Sequence, residues 1–415
     1  MNVALSKSSE EVREASLQIT GSKSETNRLL ILQALYPAIT IKNASKSDDS
    51  DVLQKALNRF HNSVDVHHAG TAMRFLTAYF SAQEGTNVLI TGSERMQQRP
   101  IGILVEALRT LGAEITYTKK KGYPPLKIKG KRLQKYKVTL KADVSSQFIS
   151  ALLLVAPSLP NGLELSLKGT ITSRPYIEMT LSLLKQLGVR VQFKDNIITV
   201  QPLSAVQTST VTVESDWSSA SYFYSMVALS EHTTVQLSNY KAESLQGDSA
   251  LVKLYNALGV QTIFNAETNS IILKKKDMDL PSLYKADLSN TPDIAQTIAV
   301  TCFGMGIGCE LTGLHTLKIK ETDRLAALKT ELQKLGAVVK ISEESIAIAP
   351  SAAMQEHVSI DTYNDHRMAM AFAPLALKIP LQINDAEVVS KSFPTFWEAM
   401  QAVGISVQET NHLKA

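Results

Sequence analysis

Two stretches of this chain nearly repeat each other. Residues 22–31 read SKSETNRLLI and residues 318–327 read KIKETDRLAA. Each sets Glu-Thr-(Asn/Asp)-Arg-Leu after a lysine and before an apolar run, and Arg28 and Arg324 stand 296 positions apart. A carboxylate, a hydroxyl and two cations in so short a run can hold an anion and move a proton beside it. Similar polar starts precede other apolar runs: AGTAMR, SSQF, SRPY, TPD and DHR. Ser, Thr and Asp there cap free N–H groups, and an acid suits the helix dipole. Cations run against that dipole, yet Lys23, Arg28, Arg74, Arg174, Lys320, Arg324 and Arg367 all lie at or next to such starts. A bound anion supplies the reason, since helix N-termini with added Lys or Arg bind phosphate and carboxylate. One such arginine would read as a solvated charge; a recurring set does not. The two Glu-Thr-(Asn/Asp)-Arg stretches are therefore expected to be equivalent helix starts in two homologous halves, facing one polyanionic ligand.

Two acids sit among these cations. Asp293 follows Pro292 at the head of an apolar helix, where it serves either as a cap or as a proton-transfer group. Glu321 beside Lys320 is likewise either half of an ion pair or an acid for catalysis. Other motifs fall away. Gly21-Ser22-Lys23-Ser24 lacks the upstream glycine of a nucleotide phosphate loop, and His67-His68 has no matching ligand pattern nearby. No G-x-S-x-G or H-E-x-x-H occurs.

The elements that must position these residues recur. Helix-like stretches ending in glycine and followed by β-like runs appear at Gly112, Gly188, Gly259, Gly336 and Gly404, spaced by 76, 71, 77 and 68 residues. Glycine just past a helix end is the common left-handed cap, so each marks a helix-to-strand corner. A weaker copy, DVLQKALNRFHNSVDV, precedes them, giving six α/β units, the first shortened. Each unit also holds a helix that is apolar almost all round, such as SSQFISALLLVA or TPDIAQTIAVT, and such helices are buried. The pattern predicts sheets packed outside helical cores.

At 415 residues the chain exceeds one ordinary core, so two domains are expected. A net charge of +4 without basic clusters gives no footprint for nucleic acid. No apolar run is long enough to span a membrane and no secretory signal is visible. With only Cys302 and Cys309, both in an apolar segment, the expected location is a reducing cytoplasm and the expected role of both thiols is packing.

Eleven ordered blocks, from SKSETNR through AGTAMR, RMQQRPIG, SSQFISALL, SRPYIEMTL, SSASYF, LQGD, TPDIAQT, KETDRL and NDHRMAMA to KSFPTFW, resemble the 3-phosphoshikimate 1-carboxyvinyltransferases (5-enolpyruvylshikimate-3-phosphate synthases) of the enolpyruvyl transferase family. The resemblance implies a two-domain inside-out α/β barrel of six repeats, three per domain. Residues 1–20 plus 226–415 would form one domain and 21–225 the other, with the active site in the cleft. It implies transfer of the enolpyruvyl group of phosphoenolpyruvate to the 5-hydroxyl of shikimate 3-phosphate, a step towards chorismate, by a monomer without cofactor or metal. Carried over, Lys23 would touch both substrates. Ser24, Arg28, Ser145, Ser146, Ser173, Tyr176, Lys320 and Thr316, which stands where asparagine is frequent, would hold shikimate 3-phosphate. Gln147 would lie between the substrates. Gly70, Arg99, Arg324, His366, Arg367 and Lys391 would hold phosphoenolpyruvate, with glyphosate as its competitor. Asp293 would act as base towards the hydroxyl and Glu321 as acid towards the methylene carbon, with Lys23 as partner. His68 and Phe75 depart from the residues usual beside Gly70 and Arg74. Two other readings remain. A UDP-N-acetylglucosamine 1-carboxyvinyltransferase usually carries a reactive cysteine in its N-terminal half, where this chain has none. A non-catalytic binder of phosphorylated metabolites would need the cations but neither Asp293 nor Glu321.

Overall fold

Gly112, Gly188, Gly259, Gly336 and Gly404 all take positive φ, between 80° and 112°, and each is followed within three residues by a strand. A side chain is disfavoured in that conformation, so glycine fixes the corner at which each helix turns back into its sheet. The computed structural model describes residues 1–58, 62–142, 145–169, 171 and 173–410.

One sheet order recurs. Ser63–Asp65 pairs in parallel with Asn87–Thr91, which pairs antiparallel with Leu126–Lys129, which closes a hairpin with Glu114–Tyr117. Helix Gly70–Ala82 joins Ser63–Asp65 to Asn87–Thr91, and Gly102–Leu111 lies between Asn87–Thr91 and Glu114–Tyr117. The order repeats in Lys137–Lys141, Leu163–Lys168, Ile197–Val200 and Val191–Lys194. It repeats again in Leu283–Asp287, Gly308–Thr312, Ile346–Ile348 and Val339–Ile341. Two sheets keep the order but take a strand from the beginning of the chain. Glu14–Leu17 pairs in parallel with Thr234–Ser238, and Asn2–Lys7 lies between Leu381–Ile383 and Ile405–Thr410. The shortened sheet pairs Ile39–Lys42 with Ser209–Thr212, two strands among the described residues.

Burial sorts the layers. Strands such as Lys137–Lys141 alternate exposed and buried side chains, as a sheet with one wet face must. Every residue of helix Ala295–Gly304 is buried, so that helix lies inside. The chain divides into two compact units, Met1–Thr20 with Glu214–Ala415, and Gly21–Val213. The sequence reading sets the second boundary at 225/226, inside helix Trp217–Leu229; the compact units divide ahead of that helix. In the Gly21–Val213 unit, helices Lys23–Leu35, Gly70–Ala82 and Ser146–Val155 pack on one another. In the other unit, Ala295–Gly304 packs against Trp217–Leu229 and His366–Phe372. Hydroxyl pairs tie the first two of these: Ser221 with Thr297 at 3.0 Å, and Thr301 with Ser225 at 2.7 Å. Buried hydroxyls need such partners, and these join two otherwise apolar helices.

Two sequence expectations are corrected. SRPY and KETDR do not open wholly buried helices but the half-buried second helix of their repeats, Arg174–Gln186 and Arg324–Lys334. Ala326, Thr330 and Gln333 form an exposed stripe on the latter. Consequently the two Glu-Thr-(Asn/Asp)-Arg stretches are not equivalent helix starts. The first lies within buried helix Lys23–Leu35, and the second ends on the first residue of Arg324–Lys334. Charge before an apolar run marks both helix types; only the spacing of later polar residues separates them.

Candidate active site

In the unit of Met1–Thr20 with Glu214–Ala415, the polar cluster is centred on Arg324. Its side chain is 2% exposed and reaches three carboxylates. Nε donates to Asp365 Oδ2 at 2.6 Å, Nη1 to Asp293 Oδ1 at 2.9 Å and Nη2 to Glu321 Oε2 at 2.8 Å. Two more cations approach Asp293: Lys320 Nζ at 3.2 Å and Arg367 Nη2 at 3.4 Å. Local folding explains the convergence. Asp323 caps helix Arg324–Lys334 by accepting from the Leu325 and Ala326 N–H groups, which fixes where Arg324 starts. Asp365 accepts from the Arg367 N–H at the head of His366–Phe372, so its carboxylate serves both as cap and as partner of Arg324.

Asp293 sits in the short turn Pro292–Ile294 ahead of Ala295–Gly304, and neither element carries a side-chain cap bond. Its carboxylate reaches the cations of Arg324, Lys320 and Arg367. Burial pushes its pKa up, but Lys320, Arg367 and Arg324 outweigh burial and hold it well below the usual carboxylate range. Burial pushes Arg324 down, but Asp365, Glu321 and Asp293 more than reverse this and raise it. Two further expected residues stand beside the cluster. His366 Nδ1 lies 3.8 Å from Asp365 Oδ1, and Lys391 Nζ donates to the Asn364 carbonyl at 2.6 Å. Thr316 Oγ1, in the turn His315–Ile319, is buried without a hydrogen-bond partner among the described residues.

The Gly21–Val213 unit has a cluster of different character. Gly70 begins helix Gly70–Ala82, whose N-cap Ala69 offers no side-chain bond. A Cβ at Gly70 would stand 2.7 Å from Arg99 Nη1 and 2.9 Å from Arg74 Nη1, so two guanidinium groups crowd an uncapped helix start. Arg74 is anchored by donating to the Gly70 carbonyl at 2.9 Å and lies over the Phe148 ring. Arg99 is 8% exposed, makes no ion pair among the described residues, and its Nε has no hydrogen-bond partner there. A helix start without a side-chain cap, with the buried guanidinium of Arg99 beside it, suits an anion. Gln147 Nε2 donates to Thr71 Oγ1 at 3.1 Å, bringing the head of Ser146–Val155, capped by Ser145, to the same turn.

Arg28 is spent on its own scaffold. It donates to Thr180 Oγ1 at 2.7 Å, the Ser24 carbonyl at 2.7 Å, and Ser150 Oγ and the Tyr176 carbonyl at 3.1 Å each. Burial lowers its pKa to about 10, with Tyr176 and Glu25 acting against that fall. Ser173 precedes Arg174–Gln186 at φ 52° and is buried, as is Ser146. Lys23 Nζ lies 3.5 Å from Asp49 Oδ2. Arg174 leaves the set: half exposed, it pairs with Glu178 at 2.7 Å over the Phe193 ring. His68 Nδ1 pairs with Ser93 Oγ at 3.0 Å. No group of three His, Cys, Asp or Glu among the described residues could hold a metal. Sequence reading passed over Asp365, Asp49, Ser218 and Asp248. Asp365 could have been found, for it directly precedes His366 and Arg367.

Comparison with known proteins bears on this arrangement. The family model described as EPSP synthase (3-phosphoshikimate 1-carboxyvinyltransferase) matches residues 54–400. A 3-phosphoshikimate 1-carboxyvinyltransferase from Bacteroides fragilis is 45% identical over 400 residues, covering 95% of this chain and 96% of that protein. One from Cellvibrio japonicus is 38% identical over 417 residues, covering 93% and 96%. A solved EPSP synthase from Acinetobacter baumannii is similar in fold, with a TM-score of 0.77 at 21% identity, over 99% of this chain and 100% of that one.

Proposed function

The chain belongs to the EPSP synthase family, and from that premise we propose how its residues divide the work. The enzyme is a 3-phosphoshikimate 1-carboxyvinyltransferase: it transfers the enolpyruvyl group of phosphoenolpyruvate to the 5-hydroxyl of shikimate 3-phosphate and releases phosphate. Its fold is the two-domain inside-out α/β fold of that family.

The observation that supports our assignment of roles is the cluster around Arg324, where two candidate proton carriers, Asp293 and Glu321, share one buried guanidinium. Addition of an alcohol to C2 of an enol phosphate needs a proton delivered to the methylene carbon and a proton taken from the hydroxyl. Asp293 takes the hydroxyl proton and Glu321, with Lys23, supplies the other. The C–O bond to phosphate then breaks as the new methyl group returns a proton. In the unliganded cluster Asp293 is a weak base because three cations hold its charge. Anionic substrates compete for Lys320, Arg324 and Arg367, which frees the carboxylate and raises its basicity as substrate arrives.

We assign Lys23, Gly70, Arg99, Gln147, Arg324, His366, Arg367 and Lys391 to phosphoenolpyruvate. Shikimate 3-phosphate is held by Lys23, Ser24, Ser145, Ser146, Gln147, Ser173, Tyr176, Asp293, Thr316 and Lys320. Arg28 belongs to the same set and donates to the carbonyls of Ser24 and Tyr176. We assign the protein to the cytoplasm as a monomer; no helix among the described residues is long and apolar enough to cross a membrane. Phosphate release tests the reading: it should require phosphoenolpyruvate plus shikimate 3-phosphate. Turnover with UDP-N-acetylglucosamine and none with shikimate 3-phosphate would overturn it.

A further inference from the structure

Asp248 is a buried acid outside the set assigned to the substrates. It is 3% exposed in the short turn Gly247–Ala250. Its Oδ2 accepts from Ser218 Oγ, while Oδ1 is buried with no hydrogen-bond partner among the described residues. Ser218, in the first turn of Trp217–Leu229, in turn lies 3.4 Å from Arg367 Nη2, which is also 3.4 Å from Asp293 Oδ2. The donors run one way: the guanidinium N–H points to the hydroxyl and the hydroxyl to the carboxylate. Asp248 is not needed to close its loop, because Gln246 already does so. The Gln246 amide accepts from the Trp217 N–H at 3.0 Å and donates to the Ser215 carbonyl at 2.9 Å. A half-satisfied buried carboxyl is costly and calls for a role beyond closure.

We propose that Asp248 is a positioning residue for the transfer reaction, setting the orientation and local charge of Arg367 through Ser218. The inference rests on the reading that Arg367 binds phosphoenolpyruvate. The charged groups acting on Asp248 are Asp293, Arg367 and Asp216. Burial, with the Asp293 charge behind it, pushes the Asp248 carboxyl up to about 7, against the opposing pull of Arg367 and the Ser218 bond. Near neutrality Asp248 therefore passes from acid to carboxylate, and the carboxylate competes with an incoming anion for Arg367.

The test compares KM for phosphoenolpyruvate in the parent, Asp248→Asn and Ser218→Ala from pH 6 to pH 8. Asn keeps the bond to Ser218 but cannot ionise. The ratio of parent KM to that of Asp248→Asn should rise about fivefold to tenfold across this range, tenfold being the effect of one pKa unit of coupling. Ser218→Ala, which keeps both charges but cuts the link, should raise KM several-fold with a smaller change in kcat. A pH-independent ratio, or a parental KM in Ser218→Ala, overturns the inference; the second arm carries the test if the Asn variant does not fold. Arg367→Gln separates the two layers. If it leaves KM for phosphoenolpyruvate unchanged, the site reading fails; if it raises KM while the Asp248→Asn ratio stays flat, only the role of Asp248 fails.

Discussion

Arg28 and Arg324 share a pentapeptide pattern, nearly complete burial and a place in the first turns of a helix, yet their surroundings are opposite. Arg28 donates its hydrogen bonds to neutral hydroxyls and carbonyls, whereas Arg324 meets three carboxylates. Burial lowers the one and the surrounding acids raise the other. The contrast extends to the clusters around them. The Gly21–Val213 unit gathers two guanidinium groups at Gly70, while the other unit balances cation against acid. On the proposed reading the first arrangement captures anions and the second moves protons. A short motif therefore fixes the guanidinium, and its partners, supplied from far along the chain, fix its chemistry.

The largest expected effect strikes the acids. Asp293→Asn and Glu321→Gln should keep the fold and lower turnover by ~10²–10⁴, the usual worth of a general acid or base. Steady-state kinetics and a melting curve measured together decide this, and parental turnover in Asp293→Asn would move the base elsewhere. Next comes the contrast itself. Arg324→Ala strands Asp365, a fully buried charge, and should cost about 3–5 kcal/mol in denaturant unfolding. Arg28→Ala leaves only neutral acceptors and should cost about 1–3 kcal/mol. Equal losses would erase the distinction between the two arginines. Smaller again, Gly70→Ala pushes a methyl group against the flexible ends of Arg99 and Arg74. The fold should absorb it, while KM for phosphoenolpyruvate rises about tenfold, near 1.4 kcal/mol. An unchanged KM would place that substrate away from Gly70.

A separate effect is on stability and concerns Asp248. Its folded pKa lies above the unfolded value, so ionisation costs the folded state. The cost is absent below about pH 4, grows as pH climbs to about 7, and is constant above. Asp248→Asn should therefore gain on the parent in melting temperature over that window. A difference independent of pH would show that the carboxyl titrates normally.

Much of the fold and of the site is legible in the sequence because it is written locally. Glycine at a helix end constrains its own φ, so the five corners can be read from residues on either side. Cations crowding helix starts likewise mark Arg324 and Arg367 from residue order alone. What escapes depends on distance. Asp365 meets Arg324 across 41 positions and Asp248 meets Ser218 across 30, and no periodicity encodes such pairs. The mistaken equivalence of the two Glu-Thr-(Asn/Asp)-Arg stretches has the same origin, since the residues that separate a buried helix from a half-buried one follow the motif.

The borrowed strands bear on synthesis of the chain. Asn2–Lys7 has neighbours at Leu381–Ile383 and Ile405–Thr410, far along the chain from it. At ~5–20 residues per second this leaves roughly 20–80 s in which that strand lacks these partners. Gly21–Val213, by contrast, is contiguous and can close as soon as Ser209–Thr212 appears beside Ile39–Lys42. An unpaired apolar strand is a template for wrong association. Slowed elongation late in the message should therefore lower the soluble yield of this protein more than slowing over its first half.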